Sequence, residues 1–193
     1  MSIIFQSENI EKLYQFYNKS IKAEHYEEPW GIHGVEHTRR VLILALSLIE
    51  LLNNAIVNPQ IIIYTALYHD IGRDGDGISY IHGYKSWRKV NRLKLFENLD
   101  MTDSDKEIIG FIICNHCIDD EIAIKISENK FGQQLTCVMK LLYLFKDADA
   151  LDRIRIHDLN IDYLHYKESE TLVKLAHLLI NTNLLENNDE YME

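Results

Sequence analysis

The chain has 193 residues, 47% of them hydrophobic and 26% charged, with only two prolines and eight glycines. That length buries a substantial core in one domain, and so little Pro and Gly excludes low-complexity disorder. Twenty basic against thirty acidic residues give a formal charge of −10, which excludes a general nucleic-acid coat or an anionic membrane surface; a local basic pocket for a small anion remains open.

The N-terminal segment MSIIFQSENIEKLYQFY has no basic stretch followed by a long apolar run, so no signal peptide is expected. From Gly34 to Asn53, apolar residues recur at Val41, Leu44, Leu48 and Leu52, and His37 opens the same stripe. The run from Val41 to Leu52 is broken by Ser47 and Glu50 and is too short to span a bilayer. Pro59 precedes a second, continuously apolar helix from Gln60 to about Tyr68, which ends in His69-Asp70. The glycines of IGRDGDGISY then mark a loop. A third helix is expected from about Tyr84 to Asn98. A fourth is capped by Thr102 or Asp103 and runs through Ile109, Ile112, Ile113 and His116. The fifth, from about Gln133 to Arg155, carries Leu135, Val138, Leu142, Phe145 and Asp149 on one face. Glu168 to Leu185 reads as a last amphipathic helix, and Glu186 to Glu193 as a frayed acidic tail. No alternating strand pattern occurs, so the fold class is all-α. The chain is expected to be a single domain over residues 1–193, with its motifs in 30–155, C-terminal helices in 156–186 and the tail in 187–193. Three cysteines make no disulfide framework and suit a reducing, cytoplasmic compartment.

These helices each deliver a polar residue at one end of an apolar stripe: His37, His69-Asp70, His116 and Asp149. Burying an imidazole or a carboxylate among leucines is unfavourable by several kcal/mol unless it is paired or ligates a metal. Their joint occurrence points to one cation shared between helices. Nitrogen and carboxylate donors suit Mn, Fe, Ni, Zn or Mg.

The segment His33-Gly34-Val35-Glu36-His37-Thr38-Arg39-Arg40-Val41 resembles the H-x-x-x-H-x-x-R-V opening of many HD-superfamily metal phosphohydrolases. Leu67-Tyr68-His69-Asp70-Ile71-Gly72-Arg73 resembles the motif that names that superfamily. His82-Gly83-Tyr84-Lys85-Ser86 is similar to its H-G-x-x-S/A segment, and Asp147-Ala148-Asp149-Ala150-Leu151-Asp152 to its late D-A-D-x-L-D helix. The resemblance implies a compact multi-helix HD-domain bundle around a central metal site held by His37, His69, Asp70 and a late aspartate. The apolar stripe favours Asp149, with Asp147 as the alternative. It also implies that Asp70 could bridge to a second metal on His82 and His116, so one or two ions are open. The chain departs from the paired histidines of the most elaborate binuclear members, having Asn115-His116-Cys117 there. Cys114 and Cys117 read as a buried pair beside the site rather than a structural zinc knot.

The segment Lys85 to Lys94 carries five basic residues and no acid, and Lys85 and Arg88 are expected to bind substrate with His33. Arg73 is expected to neutralise charge developing on the substrate and Asp74 to act as a general acid or base, or to serve as a turn residue. His157, His165 and His177 are read as outside the site. The expected function is phosphohydrolysis of a small phosphorylated substrate, a nucleotide, by a metal-activated water. The alternatives are a cyclic phosphodiesterase with a binuclear site, a di-iron oxygenase on the same fold, and a non-catalytic metal-binding interaction module.

Overall fold

The computed structural model describes residues 4–52, 58–77 and 79–182. The helices are α1 (Glu8–Tyr17), α2 (Val35–Leu52), α3 (Pro59–Tyr68), α4 (His82–Arg92), α5 (Asp103–Asn115), α6 (Asp120–Phe131), α7 (Leu135–Leu151), α8 (Lys167–Thr171) and α9 (Val173–Ile180). No strand occurs among the described residues, and no helix there is long and apolar enough to cross a membrane.

Helix α2 is the axis of the bundle. It packs against α1, α3, α7 and α9, so Leu42 and Ile43 are buried as completely as Val41 and Leu44 on the predicted stripe. Helix α3 starts where expected: the Asn58 side chain accepts from the Gln60 N–H, with Pro59 in the first turn. Helix α5 opens with a reciprocal capping box between Thr102 and Asp105. The buried side chains form one cluster from Ile4 to Leu179.

Several boundaries differ from the sequence reading. Helix α4 begins at His82, not Tyr84, and ends at Arg92 rather than running to Asn98. Lys94 takes a left-handed φ of 57°, which breaks the helical path two residues on. The expected helix from Gln133 to Arg155 is α from Leu135 to Leu151 and continues as a tighter 3-10 turn over Asp152–Ile156. The last expected helix is split at Leu172 into α8 and α9; its end and the acidic tail lie outside the described residues. Two helices had no counterpart in the sequence reading. Helix α1 is capped by Ser7 and buries Ile10, Tyr14 and Tyr17. Helix α6 turns Ala123 and Ser127 inward and leaves Ile122 and Ile126 exposed, so its hydrophobic pattern is inverted.

Two glycines bring the helix ends together. A Cβ on Gly72 would lie 2.2 Å from the Ser86 backbone N, and one on Gly83 would lie 2.2 Å from the Ile113 carbonyl. The turn after α3 therefore rests directly on α4, and the start of α4 on the end of α5. The Gly72 N–H donates to the Ser86 hydroxyl at 3.0 Å, which ties the first of these contacts.

Candidate metal centre

The residues singled out as ligands sit at helix ends and meet around Asp70. His37 is in the first turn of α2, His69 ends α3, His82 begins α4, His116 ends α5, and Asp149 lies in the last turn of α7. His37, His69, Asp70, His82 and His116 are all buried; Asp149 is partly exposed, with 29% of its side chain accessible.

Each imidazole is held through Nδ1, so that Nε2 points into the centre. His69 Nδ1 lies 3.0 Å from the Ala66 carbonyl and His116 Nδ1 2.7 Å from the Ile113 carbonyl. Both are carbonyls three residues back, in the last turn of a helix, where they lack intrahelical partners. His82 Nδ1 meets the Ser79 carbonyl at 2.5 Å, and His37 Nδ1 meets Asp152 Oδ2 at 2.7 Å. A carbonyl can only accept, so Nδ1 carries the hydrogen on His69, His82 and His116, and Nε2 of the neutral ring is a lone pair.

The lone pairs gather on the two faces of Asp70. Its Oδ1 lies 3.2 Å from His82 Nε2 and 3.6 Å from His116 Nε2, and those two nitrogens are 2.8 Å apart. Burial and the neighbouring His116 push His82 down to about 4, so no proton sits on its Nε2. Three acceptors thus face one another, and Asp70 Oδ1 is buried with no hydrogen-bond donor. Such a set is repulsive alone and is satisfied by a cation.

Asp70 Oδ2 faces the other group. It is 3.5 Å from His37 Nε2 and 3.7 Å from His69 Nε2, while Asp149 Oδ1 lies 3.3 and 3.8 Å from the same two nitrogens. Burial pushes His69 down to about 3. Burial and Arg155 would also lower His37, but hydrogen bonds to Asp149, Asp152 and Asp70 outweigh them and raise it to about 10. A proton on His37 and a divalent cation therefore compete for the same carboxylates. Burial opposes ionisation of Asp70, yet the surrounding imidazoles hold its carboxyl well below the ordinary carboxylate range. The donor set, imidazole nitrogens with ionised carboxylates, is the one divalent transition metals take. His33, His37 and Asp70, like His37, His69 and Asp149, are groups able to hold a metal ion.

Asp147 does not join this centre. Its oxygens accept from the backbone N–H groups of His165 and Tyr166 and from the Ser169 hydroxyl, at 2.6–3.0 Å. Two residues along a helix is a rotation of about 200°, so Asp147 and Asp149 face opposite ways.

A cleft of about 680 Å³ opens over the centre, walled by Arg73, Arg153 and Arg155 and rimmed by Tyr80 and Tyr163. His33 Nδ1 is 3.1 Å from both Asp70 Oδ2 and Arg155 Nη2. Arg73 Nε is 3.2 Å from Asp70 Oδ2. Lys85 and Arg88, expected to bind substrate, and Asp74, expected as a general acid or base or as a turn residue, line an adjoining cleft with Glu27, Lys89 and Arg92. There Lys85 is ion-paired with Asp74, and the Arg88 guanidinium lies over the Tyr84 ring. The physical reason is the inward face of α4: Ser86 and Val90 are fully buried, and at about 100° per residue Lys85 and Arg88 lie about 100° and 200° round the helix from Ser86.

Four residues at the centre escaped the sequence reading as site residues. Asp152 orients His37 and is itself held by Arg40 Nε at 2.6 Å and Arg155 Nη1 at 3.2 Å. Arg155, Tyr80 and Tyr163 reach the cleft from loops and 3-10 turns, where no periodicity assigns a side chain to a face.

A family model described as HD domain matches residues 34–154. The chain belongs to the HD-domain family. This is the HD metal-dependent phosphohydrolase superfamily, and the matched span carries His37, His69, Asp70, His82, His116 and Asp149. No curated protein and no solved structure matches the chain.

Proposed function

We propose that this HD-domain protein is a phosphohydrolase that cleaves a phosphate ester or anhydride bond of a nucleotide, using divalent metal at both faces of Asp70. The observation that carries the reading is the bifacial carboxylate, with two imidazole Nε2 atoms on each of its oxygens. His37, His69, Asp70 and Asp149 would hold one ion, and Asp70, His82 and His116 the other. A bound divalent cation would supply Lewis acidity, lowering the pKa of water towards neutrality and polarising a phosphoryl oxygen.

The chain's own residues do the rest. Asp152 keeps a hydrogen on His37 Nδ1 and so keeps Nε2 aimed inward. Arg73 and Arg155 carry fixed positive charge on the cleft wall, where charge develops on the phosphoryl oxygens. His33, between Asp70 and Arg155, can donate to or accept from substrate at the mouth of the centre. The rings of Tyr80 and Tyr163, 75% and 77% exposed at the cleft rim, support a substrate with a base to stack. The single buried cluster supports one HD-type domain, and three free cysteines support a cytoplasmic setting.

The test is phosphate and pyrophosphate release from a panel of nucleotides and cyclic nucleotides by Mn-loaded protein, with Asp70→Ala as control. Release that vanishes in the variant is expected, and the product identifies the bond. Opening of a cyclic nucleotide alone would assign a phosphodiesterase. No release above the control from folded, metal-loaded protein would overturn the hydrolase reading in favour of a binding module.

A further inference from the structure

We infer that Cys117 is a ligand of the ion on the His82–His116 face of Asp70, making that position a mixed nitrogen, oxygen and thiolate site. The inference rests on reading that face as a cation site. His82, His116 and Cys117 each offer a ligand atom within 4.8 Å of the others. Cys117 directly follows His116 at the end of α5, and it lines the same cleft. Asp70 Oδ1, buried and without a donor, lies 3.2 Å from His82 Nε2 and 3.6 Å from His116 Nε2 of this group.

Two imidazoles and one shared carboxylate leave such a cation a donor short of four-coordination, and the thiol supplies the fourth. The charge also favours it. Asp70 divides its negative charge between two positions, and a thiolate adds one that belongs to this position alone. In the thiol form Sγ–H donates to the Tyr80 carbonyl at 3.6 Å, a weak bond with little to lose. Coordination would release that proton to solvent and leave sulfur bound to the cation, with no change of oxidation state. Thiolate ligation selects Zn, Fe or Co over Mg and Mn. The two faces of Asp70 would then differ in preference, the His37–His69–Asp149 face being nitrogen and oxygen only. Neither other cysteine can substitute: Cys114 lines a separate cleft with Trp87 and Lys130, and Cys137 is exposed on α7.

Anaerobic titration of the full-length apoprotein with Co(II) tests this by absorption spectroscopy. Thiolate ligation gives a near-ultraviolet charge-transfer band alongside the visible ligand-field bands. The charge-transfer band is expected to grow with one cobalt equivalent, to survive Cys114→Ser and to disappear in Cys117→Ser. Two bound cobalt ions without that band, or a band that survives Cys117→Ser, would overturn the thiolate and leave the two-ion reading intact. A single bound cobalt without the band would overturn both. Should Cys117→Ser fail to fold, alkylation of the wild-type protein decides. Zinc is expected to slow iodoacetamide modification of Cys117 at least about tenfold while leaving Cys137 unprotected; a Cys117 rate that zinc leaves unchanged would overturn the assignment.

Discussion

Asp147 and Asp149 leave the same helix two residues apart and face opposite ways: Asp149 Oδ1 lies 3.3 Å from His37 Nε2, whereas Asp147 accepts the His165 and Tyr166 backbone N–H groups that lead into α8. Their substitutions should therefore diverge. Asp147→Ala leaves several buried donors unpaired and is expected to destabilise the fold by about 3 kcal/mol, a fall in Tm of roughly 6–12 °C, with metal binding retained. Asp149→Ala should fold normally and lose metal. Differential scanning calorimetry with metal analysis of both variants separates the roles; metal loss in a stable Asp147→Ala protein would reverse the assignment.

Asp152 is buried away from the cleft lining, meets His37 Nδ1 and is clamped by Arg40 and Arg155. Asp152→Asn keeps the volume but weakens the acceptor facing Nδ1. Metal affinity is expected to fall about 10- to 100-fold, read by competition with a chromophoric chelator. Unchanged affinity would mean that ring packing alone orients His37.

The parts of this protein that were legible in the sequence are those where periodicity and chemistry coincide. His37, His69, His116 and Asp149 each extend an apolar stripe, and the structure brings them together around Asp70. The adjoining basic residues show why pattern has limits. Lys85 and Arg88 follow His82 closely in sequence, but a helix that buries Ser86 and Val90 carries them round to another cleft. Helix α6 was illegible for a different reason, because small residues, Ala123 and Ser127, fill its buried face while isoleucines meet solvent. Arg155 and Tyr163 come from 3-10 turns or their edges, and only tertiary structure brings them to the cleft over His33 and the candidate metal centre.

The two basic groups should separate kinetically. Arg155 borders the cleft over the candidate metal centre and donates to the Ile32 carbonyl at 2.9 Å beside His33, so Arg155→Ala should lower kcat/KM about 100-fold. Arg88, stacked over Tyr84 in the neighbouring cleft, should be worth less than about threefold as Arg88→Ala. The measurement is steady-state hydrolysis of whichever nucleotide the panel identifies. A larger loss at Arg88 than at Arg155 would place the substrate phosphates in the second cleft.

His165, read from the sequence as outside the site, meets a carboxylate with each ring nitrogen. Nδ1 lies 2.7 Å from Asp147 Oδ1 and Nε2 2.8 Å from Asp120 Oδ2, with the ring stacked on Tyr143. Burial would lower its pKa, but these two acids outweigh burial and raise it. A raised folded-state pKa means that the ion pairs contribute fully below the unfolded value of about 6.5 and are lost as pH climbs through the folded value. Wild-type protein should therefore exceed His165→Gln in stability by more at about pH 6 than at about pH 9. Urea melts of the two proteins, loaded with the same metal, measure the difference at each pH. An advantage that grows with pH would mean that His165 is held as the neutral ring, with Asp147 serving the backbone alone.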